Sequence, residues 1–145
     1  MTVLTRQIAN EIVEKHGKNI VIPNIFTEIG DYAFEDQGLT SVEIPNGITK
    51  IGKRAFNENN LTSLVIPEGI KEVSDYAFEK NNLTSITLPN SLTEIGTWAF
   101  ANNDLTSLIL PDGLKQIHSV AFAYNNLTNL ILPNGIEKID NDVFA

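Results

Sequence analysis

Cysteine is absent from this 145-residue chain, which excludes a disulfide framework and thiolate metal sites. Basic residues are scarce: ten Lys and Arg stand against eighteen Asp and Glu, for a net charge of −8. Such a surface repels phosphate backbones and anionic headgroups, so nucleic acid and membrane surfaces are poor partners. No P-loop, dinucleotide fingerprint or zinc spacing is present, and no cofactor is expected. No apolar run approaches the ~20 residues of a membrane helix. The opening stretch MTVLTRQIANEIVEKHGKN is broken by Arg6, Asn10, Glu11 and Glu14, which does not fit a signal peptide. As written it reads as cytoplasmic; a surface or secreted location would follow if it is a piece of a longer chain.

What the sequence has instead is a period. Pro23, Pro45, Pro67, Pro89, Pro111 and Pro133 recur every 22 residues, and Phe34, Phe56, Phe78, Phe100, Phe122 and Phe144 keep the same step. A repeat of that length points to a stacked solenoid. Within each unit, Leu39, Val42 and Ile44 and their equivalents, down to Leu127, Leu130 and Leu132, spell L-x-x-L-x-L. Its final alternation is that of a short strand whose inward side chains stack on those of neighbouring units. Units that all run the same way make a parallel sheet. The proline after each strand has no N–H for a ladder and starts a turn.

Two further apolar columns follow: Ile25, Ile48, Ile70, Leu92, Leu114 and Ile136, then Ile29, Ile51, Val73, Ile95, Ile117 and Ile139. Phrases such as IGDYAF are too short for a free helix, so packing must hold a turn of helix in place. Gly38, Asn60, Asn82, Asp104 and Asn126, which precede each strand leucine, are types that tolerate positive φ, and this column predicts a left-handed corner. Ahead of the array, LTRQIANEIVEKHG places Leu4, Ile8 and Ile12 on one helical stripe, with Thr2 or Thr5 as N-cap and Gly17 as the stop. It reads as a cap rather than a membrane-surface helix, because its charges are mixed and its apolar stripe is narrow. Residues 19–22, NIVI, supply the first strand.

The chemistry available is sparse. His16 ends the cap, and His118 stands where other units have Gly, Ser or Asp; neither shows a partner in the sequence, and His118 reads as ordinary variation rather than a general base. Corners such as NENN and ANND lack the Gly-rich pattern of calcium-binding β-rolls and read as solvated turns. The glycan-acceptor matches at Asn60, Asn82 and Asn126 arise from the repeat itself. Thr40, Thr62, Thr84, Thr106 and Thr128 form one regular file, read as a hydrogen-bonding ladder at the strand entrance rather than an ice-binding array.

Two files carry the functional expectation. Glu43, Val65, Thr87, Ile109 and Ile131 point outward from the strands, beside Ser41, Ser63, Ser85, Ser107 and Asn129. They form a candidate partner-binding face, although β-branched residues also simply suit strands. Tyr32, Arg54, Tyr76, Trp98 and Val120 flank the inward alanines, and Arg54 is placed to stack between Tyr32 and Tyr76. This second candidate surface reads first as a shield for the core edge.

The units resemble the BspA-type bacterial leucine-rich repeat family, whose units read approximately as P-x-x-[VI]-x-x-I-G-x-x-A-F followed by L-T-S-[VI]-x-[IL], a pattern that the units from residue 23 to 144 follow with substitutions, for instance PNSLTEIGTWAFANNDLTSLIL. They differ from the commonest family pattern in having 22 residues rather than 23 and Asn-rich corners where Cys often sits. The resemblance implies a right-handed α/β solenoid with a parallel sheet of short strands on one face and helical turns on the other. Residues 1–18 are expected to form the cap and residues 19–145 the array. Family members are chiefly surface or secreted proteins that bind other proteins, so the implied role is non-catalytic protein binding. A self-assembling spacer, a docking arm of a larger enzyme and a surface adhesin are the alternatives. The sequence stops at NDVFA, after the last Phe, and self-association through that end is a further expectation.

Overall fold

The computed structural model describes residues 2–145. Strand β1 (Val3–Leu4) leads into helix α1 (Arg6–His16). Thr5 is the N-cap, its hydroxyl accepting from the Ile8 N–H at 3.3 Å. Gly17 ends the helix at φ +81°, donating to the Val13 carbonyl at 2.8 Å. The expected stripe is shifted: Ala9 and Val13 are the fully buried helical residues, Ile8 and Ile12 are half-buried, and Leu4 reaches the core from β1.

Six three-residue strands follow the L-x-L segments: β2 (Asn19–Val21), β4 (Ser41–Glu43), β6 (Ser63–Val65), β8 (Ser85–Thr87), β10 (Ser107–Ile109) and β12 (Asn129–Ile131). Between them lie two-residue strands: β3 (Glu28–Ile29), β5 (Lys50–Ile51), β7 (Glu72–Val73), β9 (Glu94–Ile95), β11 (Gln116–Ile117) and β13 (Lys138–Ile139). All pairing is parallel. The two-residue strands make the continuous sheet, seven strands in the order β1-β3-β5-β7-β9-β11-β13, which sequence reading did not foresee. The three-residue strands pair only two by two, β2 with β4, β6 with β8 and β10 with β12. The solenoid is therefore stitched along its short strands and opens at alternate steps along its long ones.

The third side corrects the sequence expectation. No helix follows α1 among the described residues; the segment around each Phe is a run of turns. Its left-handed residues are not the Asn corners, of which only Gly38 has positive φ. They are Tyr32, Arg54, Tyr76, Trp98, Val120 and Asp142, and four positions further on Asp36, Glu58, Lys80, Asn102 and Tyr124. A left-handed non-glycine residue costs roughly 1–2 kcal/mol, and the geometry shows what offsets it. The N–H groups of Tyr32, Phe34 and Asp36 all turn along the solenoid axis and donate to the carbonyls of Lys53, Ala55 and Asn57 in the next turn, at 2.8, 2.7 and 2.9 Å, and later units repeat the pattern.

The core runs the length of the stack. Phe34, Phe56, Phe78, Phe100 and Phe122 are at most 1% exposed, and their rings lie parallel with centroids 5.2 to 5.5 Å apart. The column assigned to Ile25 begins instead at Phe26, which is 5% exposed while Ile25 is 66% exposed; Phe26 follows Pro23 by three residues, as Ile48 follows Pro45, so Ile25 is one residue out of the 22-residue register. In the last turn described, Leu130, Leu132, Ile139 and Phe144 are each exposed by 37 to 43%.

A buried polar ladder lies beside the Phe spine. Asn59, Asn81 and Asn103 are 5 to 6% exposed, and each side-chain amide closes the corner between two turns. Asn81 Nδ2 donates to the carbonyls of Phe56 and Phe78 at 3.0 and 3.1 Å, and its Oδ1 accepts from the Leu61 N–H at 3.1 Å. In the pairs Asn59-Asn60, Asn81-Asn82 and Asn125-Asn126 the first residue is the structural one and the second is exposed. Polar groups of the N-terminal segment serve the first turn in the same way: Arg6 Nη1 donates to the carbonyls of Tyr32 and Glu35 at 2.8 and 2.6 Å, and Lys18 Nζ to that of Gln37 at 2.6 Å.

Candidate recognition surface

Because strand side chains alternate, burying Leu64 and Leu108 forces their neighbours outward. Val65, Ile109 and Ile131 are 63, 77 and 68% exposed, and parallel register sets Ile109 directly against Ile131 and Val65 against Thr87. Glu43 and Thr87 are exposed in the same row, as are Ser63, Ser85 and Ser107 in the row beside it. Val21, 63% exposed and in register with Glu43, extends the apolar row by one turn. Sequence reading missed it because residues 19–22 lack the upstream leucine that marks the other strands. Two shallow depressions lie on this face, about 300 Å³ between β2 and β4 and about 220 Å³ between β4 and β6, where the ladder is open. The threonine file serves as expected: Thr84 Oγ1 and Thr128 Oγ1 donate to the carbonyls of Thr62 and Thr106 at 3.2 and 3.3 Å.

The second candidate surface is largely occupied by its own contacts. Arg54 Cζ sits 4.7 Å from the Tyr76 ring centroid, with Arg54 Nη1 3.6 Å from the Glu35 carboxylate. The ring of Tyr76 stacks on Trp98 at 6.0 Å, and Trp98 on Tyr124 at 6.0 Å. The expected sandwich of Arg54 between two tyrosines is thus one-sided among the described contacts, and Tyr32 stays 41% exposed. Val120 does not extend the stack. Tyr124 does, from the neighbouring left-handed column.

His118 has the partners the sequence did not show. Its Nε2 lies 3.3 Å from Glu94 Oε2 and its Nδ1 3.4 Å from Asp140 Oδ2, both brought in from adjacent turns. The carboxylates flank the ring on opposite sides, so they tie turns together rather than converge on a reacting atom. Among the described residues no group of three or more His, Cys, Asp or Glu is placed to hold a metal, and no helix is long and apolar enough to cross a membrane. A further depression, about 460 Å³, lies elsewhere, at the continuous sheet, and its lining of Thr49, Lys50, Gly69, Lys71, Glu72 and Ser74 includes no buried polar group.

Comparison with known proteins agrees with this geometry. A leucine-rich cell surface protein from Faecalibacterium prausnitzii is 28% identical, with a TM-score of 0.61 over 78% of this chain and 38% of that one. Leucine-rich repeat proteins from Bacteroides ovatus (24% identity, TM-score 0.62, 89% of this chain and 41% of that one) and Eubacterium ventriosum (18%, 0.52, 88% and 45%) share the fold. The chain thus spans about two fifths of the length of these relatives. No curated protein matches it. The BspA type Leucine rich repeat region matches in six copies over residues 14–102 and 49–145. With its Pro and Phe period, parallel strands and stacked Phe spine, the chain belongs to the BspA-type leucine-rich repeat family.

Proposed function

We propose that the array is a non-catalytic protein-recognition module that meets its partner through the outward face of the three-residue strands. The observation that carries this is the adjacent pair Ile109 and Ile131, 77 and 68% exposed in register on neighbouring strands. Contiguous exposed apolar side chains gain little for a monomer and are common at interfaces. Glu43 and the serines Ser63, Ser85 and Ser107 supply a polar surround. That a 28% identical relative is a cell surface protein supports a reading of the array as the exposed, binding part of a surface protein.

The test compares wild type with an Ile109→Ser/Ile131→Ser double variant in capture from native surroundings, followed by affinity measurement on the captured protein. A loss of at least tenfold, ~1.4 kcal/mol, at unchanged melting temperature is expected. Binding that survives this change but is abolished by alanine at Tyr32, Tyr76 and Trp98 would move recognition to the stacked-ring surface.

A further inference from the structure

The strand face has a repeat distance, an apolar row and a charge sign, and together they describe an occupant. Paired strands on this face lie ~4.8 Å apart, and the buried Phe stack behind them repeats at 5.2 to 5.5 Å between ring centroids. An α-helix climbs 5.4 Å per turn. A helix laid along the solenoid axis therefore offers one side chain per turn to one outward residue per unit. The apolar row gives it Ile131, Ile109 and Val65, with Thr87 between the last two.

The charge is one-sided. Glu43 is the one ionisable residue among the outward strand positions. Exposed Asp104, three residues before β10, and Glu68 and Asp112, each following a strand-ending proline, line the two edges of the face. On the strand-entrance side the exposed Lys80, five residues before β8, is paired with Glu58 at 3.4 Å, and on the proline side lysines begin at the next sheet, with Lys71 and Lys115 one residue before β7 and β11. On the cap side Lys18 is held by the Gln37 carbonyl. A second copy of this chain would set −8 against −8, which like-charge repulsion opposes. An extended segment would need a strand edge, and this surface is a sheet face.

We propose that this face takes a basic amphipathic helix of a partner protein, with one apolar side chain per turn against Ile131, Ile109 and Val65 and Lys or Arg residues along both flanks and opposite Glu43. This rests on the strand-face reading above and goes further in naming the partner's shape and sign. Helix-in-groove recognition through anchors at i, i+3/i+4 and i+7 is the general mode, and the acidic edges steer the approach.

The experiment pans the whole chain against two displayed peptide libraries, one of amphipathic helices held on a helical-hairpin scaffold and one of disulfide-constrained extended loops. Enriched clones are then titrated against wild type, Ile109→Lys/Ile131→Lys and Glu43→Lys, at low and high salt. Helical clones rich in Lys and Arg, with one apolar residue per turn, are expected. Their affinity should fall at least tenfold on both variants and weaken as salt rises. Loop clones that depend on Ile109 and Ile131 would overturn the helix while leaving the face as the binding surface. Helical clones indifferent to both variants would overturn the face itself, and failure to enrich any helical clone would overturn the proposal. Should the double lysine variant melt early, Glu43→Lys alone decides, since that residue is exposed and makes no side-chain bond within the chain.

Discussion

The side chain of Asn81 reaches back one turn and donates to the carbonyl of Phe56 at 3.0 Å, fastening the polar corner of one unit to the spine residue of the unit before it. The same amide serves Phe78 and Leu61, so one buried residue satisfies three backbone groups. Replacing it with leucine of similar volume leaves the buried Leu61 N–H without its partner and removes one of two side-chain donors from each of the Phe56 and Phe78 carbonyls, which keep Asn59 and Asn103 at 3.0 and 3.1 Å. An unpaired buried backbone group costs ~1–3 kcal/mol, and Asn81→Leu should lower stability by about that much in urea unfolding. Asn82→Ala, next in sequence but exposed, should stay within ~0.5 kcal/mol of wild type. Equal effects from the two would show that the corner is wrongly assigned.

Phe78 is fully buried between Phe56 and Phe100, with centroids 5.2 and 5.5 Å away. Phe78→Ala opens a cavity in a one-dimensional stack that has few ways to collapse, and should cost ~3–5 kcal/mol. Phe144, 37% exposed and stacked on one side only at 6.0 Å, should lose clearly less on the same change. A thermal melt of Phe78→Ala within a degree or two of wild type would refute the spine.

At Gly96 a side chain is opposed by contact rather than by φ, although the same column carries Ser74, His118 and Asp140 in other units. A Cβ on Gly96 would stand 2.8 Å from the Val73 carbonyl oxygen and 2.8 Å from the Asp75 nitrogen, both backbone atoms of the preceding turn. Gly96→Ala should therefore destabilise by ~1–3 kcal/mol, the range of core overpacking. At Gly47 the nearest contact is 3.9 Å away, and Gly47→Ala should be neutral or slightly stabilising. Melting curves of the two variants side by side test the difference.

The two exposed surfaces should separate by stability alone. Trp98 stacks on Tyr76 and on Tyr124, and aromatic pairs contribute ~0.5–1.5 kcal/mol each beyond area burial. Trp98→Ala should lower the melting temperature, while Ile109→Ser/Ile131→Ser, in side chains 77 and 68% exposed, should leave it nearly unchanged. The reverse order would mean that the isoleucines are structural and the rings are free to bind.

The sequence by itself determined the period, the parallel stacking and most of the inside. Residue type at a fixed 22-residue step reports burial directly, and Phe78, Leu83 and Ile95 were legible for that reason. It also held one signal that reading by residue type passed over. Column 59, 81, 103, 125 is Asn in four successive units, after Gln37 in the first, while the next column varies between Gly, Asn and Asp, and the Asn column is the one that turns inward, buried at Asn59, Asn81 and Asn103. Only the tertiary structure decided where the backbone turns left-handed, which strands pair, and what faces His118. Tyr76 and Trp98 are residue types that do not ordinarily announce positive φ; they adopt it because their N–H groups find carbonyls in the next turn, at Thr97 and Ser119. Glu94 and Asp140 lie 24 and 22 residues from His118 and meet it only because the sheet register places three turns side by side. Contacts at that separation leave no local mark on the chain, since they are fixed by the stacking of whole units and not by the preferences of any one residue.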